Sequence, residues 1–207
     1  ILLRPLSAKL MPETKPEREG WVDRSRLENF SGRGRSRQIE LARSYGITDY
    51  PAPAGGCILA DPILSTRIAR IYRGDFLITP DTMCVGDIRL MLVGRQFVLP
   101  GGGWLILGRD EKDNDRLELL AEGDDIKLLI EERPGPVALL RRGVSAYRQE
   151  QVQAEDLARA AGLVARYAKK TDGRPQPGRV KIIFPDGEQE LLAIPLADEE
   201  FSSWSFC

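Results

Sequence analysis

The chain has 207 residues, with 30 lysines and arginines, 31 acidic side chains, no histidine and three cysteines. The absence of histidine excludes His-dependent catalytic triads and His-ligated zinc sites. Three cysteines are too few for a disulfide framework, which indicates a reducing, cytoplasmic compartment, and no apolar run reaches the length of a membrane span, so we expect no membrane partner.

Charge is distributed unevenly along the sequence. The first 48 residues carry ten basic and six acidic side chains, a net charge of +4. Residues 185–207 carry six acidic side chains and no basic ones. This polarity predicts a local anion-binding face and an acidic tail.

The N-terminal part of the sequence predicts a connector followed by two short helices. Residues 1–35 are rich in Pro, Gly and charge, which is typical of an extended segment with little regular structure. A helix is predicted from Arg37 to Tyr45, with Ser36 as its N-cap and Gly46 after its last turn. Beyond a Pro/Gly loop, Asp61-Pro62 is typical of a second helix start.

Residues 74–207 predict a mixed region of short strands, hairpin turns and one long helix. A short helix is expected from Asp81 to Val93, and the clearest helix runs from Gln151 to Lys169, with an apolar stripe along one side. Gly101-Gly102-Gly103 predicts the turn between the first two strands. The expected strands are Gln96–Leu99, Trp104–Leu107, Ile126–Ile130 and Val137–Leu140, followed by a final hairpin of Arg179–Phe184 and Glu190–Ile194.

An arginine-rich run precedes the first predicted helix. In Ser31-Gly32-Arg33-Gly34-Arg35-Ser36-Arg37, three arginines alternate with small residues. Backbone amides and the helix dipole favour anions at a helix start, and guanidinium groups suit phosphate. Arg33, Arg35 and Arg37 are therefore candidate phosphate contacts, with a solvated, flexible loop as the alternative.

Cys57 ends the loop Pro51-Ala52-Pro53-Ala54-Gly55-Gly56-Cys57, just ahead of the second predicted helix. Neighbouring glycines let a substrate approach closely, and an accessible thiolate is a strong nucleophile. The alternative is a small buried hydrophobe, as most free cysteines are. Cys84 and Cys207 are weaker candidates, and the spacing of the three cysteines does not predict a metal site.

The N-terminal residues carry a resemblance to a known enzyme family. The helix "RQIELARSYGI" followed by "AGGCILADPILSTRI" is similar to the segment around the second cysteine of thiouridylase-like tRNA sulfurtransferases. The resemblance implies that residues 1–73 are the C-terminal segment of such a catalytic region. It also implies that Cys57 is the catalytic thiol that carries sulfur as a persulfide.

A second resemblance covers most of the remaining sequence. Gly108-Arg109-Asp110, then Asn114-Asp115, then the Gly135-Pro136 turn and an alanine-rich helix ending in lysines look like the RNA-binding domain of the NFACT family. The resemblance implies an α+β fold for residues 74–207, with an antiparallel sheet and one long helix. Such a domain is expected to bind RNA by recognising the charge of its backbone and its shape.

We expect RNA contacts from basic residues of this domain, although many surface cations serve solubility and some are expected to pair with Asp110, Asp113 or Asp115. The candidates are Arg109, Lys112, Arg116, Arg141, Arg142, Arg159, Arg166, Lys169 and Lys170.

Together the resemblances imply the C-terminal part of an ATP-dependent tRNA sulfurtransferase, with tRNA and a sulfur-donor protein as partners. ATP would activate a uridine carbonyl, and a cysteine-bound sulfur would attack it. The sequence has no Ser-Gly-Gly-x-Asp-Ser string, so ATP is expected to bind upstream of Ile1.

Two alternatives remain open at this point. The first alternative is a non-catalytic RNA-binding module in which Cys57 is structural. The second is a protein-interaction scaffold that uses the acidic end at residues 185–207.

Overall fold

The computed structural model describes residues 2–32, 34–50 and 61–206, and the chain divides into two compact units, residues 1–56 and 57–207. The two resemblances placed the domain boundary after residue 73, whereas this division falls earlier. Helix α3 (Pro62–Tyr72) explains the difference, because its Leu64 and Ile71 are fully buried in a core that belongs to the second unit. Asp61 caps this helix as predicted, since its carboxylate accepts hydrogen bonds from the first-turn amides.

Residues 2–32 contain three short helical turns, so the prediction of an extended segment is wrong, whereas the prediction of little regular structure is confirmed. The Glu17 carboxylate accepts hydrogen bonds from the Thr14 amide at 2.7 Å and the Thr14 hydroxyl at 2.5 Å, and it pairs with Arg24. The hydrogen bonds from Thr14 hold the pKa of Glu17 below its usual value. One acidic side chain thus ties successive turns together. These turns are the 3₁₀ turn Ala8–Leu10, helix α1 (Lys15–Arg18) and the 3₁₀ turn Arg24–Arg26.

Helix α2 (Ser36–Ser44) confirms the first predicted helix. It begins one residue early, because Arg35 rather than Ser36 occupies the N-cap. Gly46 has φ = +69°, and the Ile47 amide donates back to the Ala42 carbonyl at 2.9 Å. This left-handed glycine ends the helix, as its position in the sequence predicted.

Among the described residues of the second unit, seven strands form one antiparallel sheet in the order β6-β5-β3-β4-β2-β1-β7. All six predicted strands are confirmed, with small shifts at their ends. They are β1 (Arg95–Val98), β2 (Trp104–Leu107), β3 (Ile126–Ile130), β4 (Ala138–Arg141), β5 (Gly178–Phe184) and β6 (Gly187–Ala193), and the chain adds β7 (Ser205–Phe206).

Helices cover both faces of this sheet. Leu105 and Leu107 of β2 pack in the core shared with the long helix, whereas Trp104 and Ile106 pack in the core shared with α3. Burial on both faces explains why β2 is apolar at every position. The helices are α3, α4 (Val85–Leu90), α5 (Glu111–Leu120), α6 (Glu150–Tyr167) and α7 (Asp198–Phe201).

Two helix predictions differ from the structure. The expected helix from Asp81 to Val93 is a 3₁₀ turn at Pro80–Thr82 followed by the shorter α4. Helix α5 was not predicted, because its sequence EKDNDRLELL has few apolar residues and a weak helical stripe. Within the described ranges, none of the helices has the length and apolar character that a membrane crossing requires.

The triple-glycine turn between β1 and β2 is confirmed, and α6 holds it in place. Asp156 of α6 is fully buried, and its carboxylate accepts hydrogen bonds from the amides of Gly101 at 3.0 Å and Gly103 at 3.3 Å. The Tyr147 hydroxyl donates to the same carboxylate at 2.8 Å. A Cβ atom at Gly103 would lie 1.8 Å from the Tyr147 hydroxyl oxygen, so only glycine fits there.

The C-terminal residues belong to the folded domain, so the prediction of an acidic tail is wrong. Strand β6 pairs with β5 over seven residues, and β7 pairs with β1 at the opposite edge of the sheet. Asp198 accepts a forked hydrogen bond from Arg166 at 2.7 and 2.8 Å, and Phe201 is buried in the core shared with α6. Several acidic side chains of this region therefore sit on structured elements.

Candidate nucleic-acid interface

A groove of about 490 Å³ opens where β2 ends and α6 ends. It is lined by residues 108–111 with Asn114, by residues 134–136, by Tyr167 with Lys169, and by Arg95. We call it the Tyr167 groove. Three separate parts of the NFACT-like pattern meet in it: Gly108-Arg109-Asp110, Gly135-Pro136 and the end of the alanine-rich helix.

Asn114 joins the two loops of the Tyr167 groove. Its side-chain oxygen accepts from the Val137 amide at 2.9 Å, and its side-chain amide donates to the Gly135 carbonyl at 3.4 Å. The Gly108 amide also donates to the Val137 carbonyl at 2.9 Å. A Cβ atom at Gly108 would lie 2.0 Å from the Asn114 side-chain oxygen, so this close approach requires glycine.

The start of α5 positions Arg109 at the groove. Asp110 caps the helix by accepting from the Asp113 amide at 2.9 Å. Asp113 in turn accepts from the Arg109 side chain at 2.8 Å. Burial alone would raise the pKa of the Asp113 carboxyl, but hydrogen bonding and charge from Arg109 outweigh it, so this pKa lies below its usual value. Half of the Arg109 side chain stays exposed to solvent.

Arg95 and Tyr167 form a cation–π pair that lines the groove. The Arg95 guanidinium carbon lies 4.6 Å from the centre of the Tyr167 ring, and the guanidinium donates to the Gly108 carbonyl at 3.2 Å. The Tyr167 ring also packs against Phe201 at 6.0 Å and Phe97 at 6.4 Å between ring centres. Contacts with these core aromatic rings therefore fix the position of the Tyr167 ring, against which Arg95 lies.

The end of α6 brings a lysine to the rim of the groove. The Lys169 amide donates to the Pro134 carbonyl at 2.8 Å, which fixes the chain beyond the helix. Lys169 and Lys170 are exposed, and neither makes an ion pair with the described residues. The groove lining as a whole carries three cations and the two carboxylates of Asp110 and Glu111.

The other predicted RNA contacts of the second unit lie outside the Tyr167 groove. Lys112 and Arg116 are exposed on α5, and no ion pair to either occurs in the described part of the chain. Arg159 pairs with Glu155 at 3.4 Å and with Asp156 at 3.2 Å, and Arg166 pairs with Asp198. The charges of the two α6 arginines are thus partly neutralised, whereas those on α5 remain available.

Arg141 is buried, so the prediction that it contacts RNA is wrong. Its side chain is fully enclosed and pairs with Asp87 at 2.7 Å, Asp125 at 3.0 Å and Glu122 at 2.9 Å. Burial alone would lower the pKa of Arg141, yet Asp125 and Asp87 raise it above its usual value, so the side chain stays charged. The neighbouring Arg142 pairs with Asp87 at 2.8 Å and has φ = +50°, and one fifth of its side chain is exposed.

The candidates of the first unit are partly described. Arg35 is exposed and donates to Gln38 at 3.1 Å. Arg37 donates to Asn29 at 2.9 Å, and its guanidinium carbon lies 4.4 Å from the centre of the Phe30 ring. Both side chains can still reach solvent. Arg33 and Cys57 lie outside the described residues, so their roles stay predictions.

Arg95 and Tyr167 are groove residues that sequence reasoning missed. Arg95 precedes a strand and Tyr167 ends a helix, and nothing in the local pattern brings the two together. A weak signal was present, because Tyr167 is a large aromatic side chain beside the lysines that end α6. No group of three or more potential ligands for a metal ion occurs among the described residues.

Comparison with known families decides what kind of domain carries this groove. The model of the NFACT protein RNA binding domain matches residues 94–205. The chain belongs to this family. The match confirms the second resemblance drawn from the sequence, and it supports RNA in general as the partner of the NFACT domain.

Solved structures also resemble part of the chain. One of them is the C-terminal part of the fibronectin/fibrinogen-binding protein from Streptococcus suis, with 15% sequence identity and a TM-score of 0.44. The alignment covers 55% of this chain and 50% of that one, so the chain spans about half of its length. A search of curated proteins found no match. The comparisons contain no counterpart of the thiouridylase-like resemblance, which stays a prediction.

Proposed function

We propose that the chain is the C-terminal part of an ATP-dependent tRNA sulfurtransferase, in which the NFACT domain holds the tRNA and Cys57 carries sulfur. The RNA-binding half of this proposal is supported by one observation: three separated parts of the family pattern build the Tyr167 groove. The sulfur-transfer half rests on the resemblance of the residues around Cys57.

We assign binding of the RNA backbone to exposed lysine and arginine side chains that have no carboxylate partner among the described residues. Lys169 and Lys170 at the groove rim, and Lys112 and Arg116 on α5, are exposed and make no ion pair with other described residues. When such a side chain binds a phosphate, it displaces condensed counterions from the RNA, and because the free energy gained by their release falls as salt rises, the affinity falls too. A chain with a formal net charge of −1 can bind RNA in this way only through a local concentration of cations.

The assignment is tested by replacing Lys169 and Lys170 together with glutamine. We expect weaker tRNA binding and a salt dependence whose slope falls by about two, because each lysine lost removes one phosphate contact. Fluorescence anisotropy with labelled tRNA at several salt concentrations measures both quantities.

Arg148→Gln is the matched control, because Arg148 is exposed and precedes α6, whose 18 residues separate it from the groove by roughly 27 Å. It should change neither quantity. Equal binding by the double variant and the wild-type chain would remove the groove rim from the RNA interface.

Cys57 supplies the thiolate of the proposed sulfur transfer. A thiolate-derived sulfur is a strong nucleophile. A sulfur-donor protein in the cytoplasm would transfer a sulfur atom to Cys57 and so form the persulfide. Replacing Cys57 with serine in the full-length protein should abolish thiolation of tRNA while leaving tRNA binding unchanged. Thiolation retained by the variant would remove the catalytic assignment.

The Tyr167 groove does not suit the triphosphate of ATP. The α5 start that faces the Tyr167 groove carries Asp110, Glu111 and Asp113, and these carboxylates repel a polyphosphate. No residue of the chain is therefore assigned to ATP, and the adenylating step is proposed for a domain outside this sequence.

A second candidate is a non-catalytic RNA-binding module in which Cys57 is structural. The family match favours it, because it is confined to residues 94–205. Under this proposal the chain binds RNA, while the Cys57 thiol reacts with an alkylating reagent no faster than an ordinary thiol at any pH tested. Labelling that proceeds well below the usual thiol pKa would favour the sulfurtransferase instead.

A further inference from the structure

The Tyr167 groove is lined by flat groups. The Arg95 guanidinium carbon lies 4.6 Å from the centre of the Tyr167 ring, and Pro134, Gly135 and Pro136 also line the groove. Planar guanidinium and aromatic surfaces are those on which unpaired bases stack. A volume of about 490 Å³ falls in the range of sites that enclose a small ligand.

The charges of the groove do not suit a continuous phosphate backbone. Arg95, Arg109 and Lys169 are balanced in part by the carboxylates of Asp110 and Glu111, so the lining carries a net charge of only +1. Arg109 is further engaged by Asp113. A surface that follows a duplex backbone is strongly basic along its length. The groove has the mixed charge of a site that takes one phosphate together with one base.

We propose that the Tyr167 groove binds a single unpaired nucleotide of the RNA, with its base stacked on the Arg95–Tyr167 pair and its phosphate near Lys169. The inference rests on the proposed RNA-binding function and goes beyond it by naming the RNA element. Duplex regions then contact only the exposed cations outside the groove, such as Lys112 and Arg116.

Arg95 acts here through its planar shape as well as its charge. Lysine keeps the charge but has no flat surface to stack on a base. Arg95→Lys therefore separates stacking from simple electrostatic attraction. Arg148→Lys is the matched control, because it makes the same replacement at an exposed arginine before the far end of α6.

The experiment compares three probes on the 207-residue chain by fluorescence anisotropy at low salt. They are a short single-stranded RNA, the same strand annealed to its complement, and a strand of equal length whose sugars lack bases. We expect the single strand to bind about tenfold more tightly than the other two, the gain that stacking of one base provides. Arg95→Lys should remove this preference, and Arg148→Lys should keep it.

The outcomes separate the two levels of the proposal. If no probe binds at low salt, RNA binding itself is wrong. If all three probes bind equally to the wild-type chain, RNA binding stands and the nucleotide site is overturned. The abasic probe needs no variant, so this outcome does not depend on whether Arg95→Lys folds, and thermal unfolding of the variant checks that separately.

Discussion

The two ends of the second-unit sheet use arginine in opposite ways. At the end where β2 leads into α5, Arg95 and Arg109 line an open groove. At the end where β4 finishes, Arg141 is fully enclosed by Asp87, Asp125 and Glu122. At the first end the guanidinium groups are open to a ligand, whereas at the other end the guanidinium neutralises carboxylates inside the fold.

The number of nearby carboxylates accounts for the difference. Arg141 lies on the same face of β4 as the buried Leu139, so its guanidinium enters the layer beneath α4 and needs full compensation there. Among the described residues, Arg109 pairs with the single carboxylate of Asp113, and Arg95 contacts a carbonyl and an aromatic ring. Arg109, with one carboxylate partner, thus stays partly exposed, whereas Arg141, with three, is enclosed.

The largest effect is expected from removing the buried guanidinium. Arg141→Ala leaves Asp125 buried without a counter-charge and leaves Asp87 with Arg142 alone, which should cost about 3–5 kcal/mol in the free energy of unfolding. Chemical denaturation measures this loss. Arg148→Ala, at an exposed position, should stay within about 0.5 kcal/mol of the wild type. A loss below about 1 kcal/mol for Arg141→Ala would mean that the carboxylates are hydrated in the folded state.

An intermediate effect is expected at the groove. Gly108→Ala places a methyl group against the Asn114 side chain, and relieving that overlap should cost about 1–3 kcal/mol in the free energy of unfolding. It should also weaken RNA binding, because Asn114 joins both groove loops. Gly123→Ala is the control, since its Cβ would meet no atom within 4 Å. Unchanged stability and affinity in Gly108→Ala would contradict the role given to this contact.

The smallest effect is a dependence on pH. The pKa of Asp113 is lower in the folded chain than its usual value, so its contribution to stability is present above that usual value and is lost as pH falls through the folded pKa. Arg109→Gln should reduce the loss of stability between about pH 6 and about pH 2 by about 1 kcal/mol or less, because the Arg109 side chain is half exposed.

Arg116→Gln, on the same helix, is the control for this measurement, because Arg116 makes no ion pair in the part of the chain that the structure describes. Denaturation at each pH should give it the wild-type loss. A wild-type loss in Arg109→Gln as well would show that Arg109 does not set the pKa of Asp113.

Elements with strong local signals could be predicted from the sequence. Asp61-Pro62 begins a helix because an aspartate cap and a first-turn proline each favour that backbone, and the triple glycine makes a turn because few other residues allow it. Helix α5 escaped prediction because Asp110 and Asp113 stabilise its start without producing an apolar stripe.

The sequence by itself determined the α+β class, the antiparallel hairpins and the NFACT family, because these depend on local propensity, periodicity and motifs read along the chain. Tertiary structure alone decided that Arg141 is buried, that the acidic end joins the sheet, and that Arg95 meets Tyr167. The physical reason is that the surroundings of a charged side chain depend on residues distant in sequence. The pairing of strands brings those residues within a few ångströms of each other.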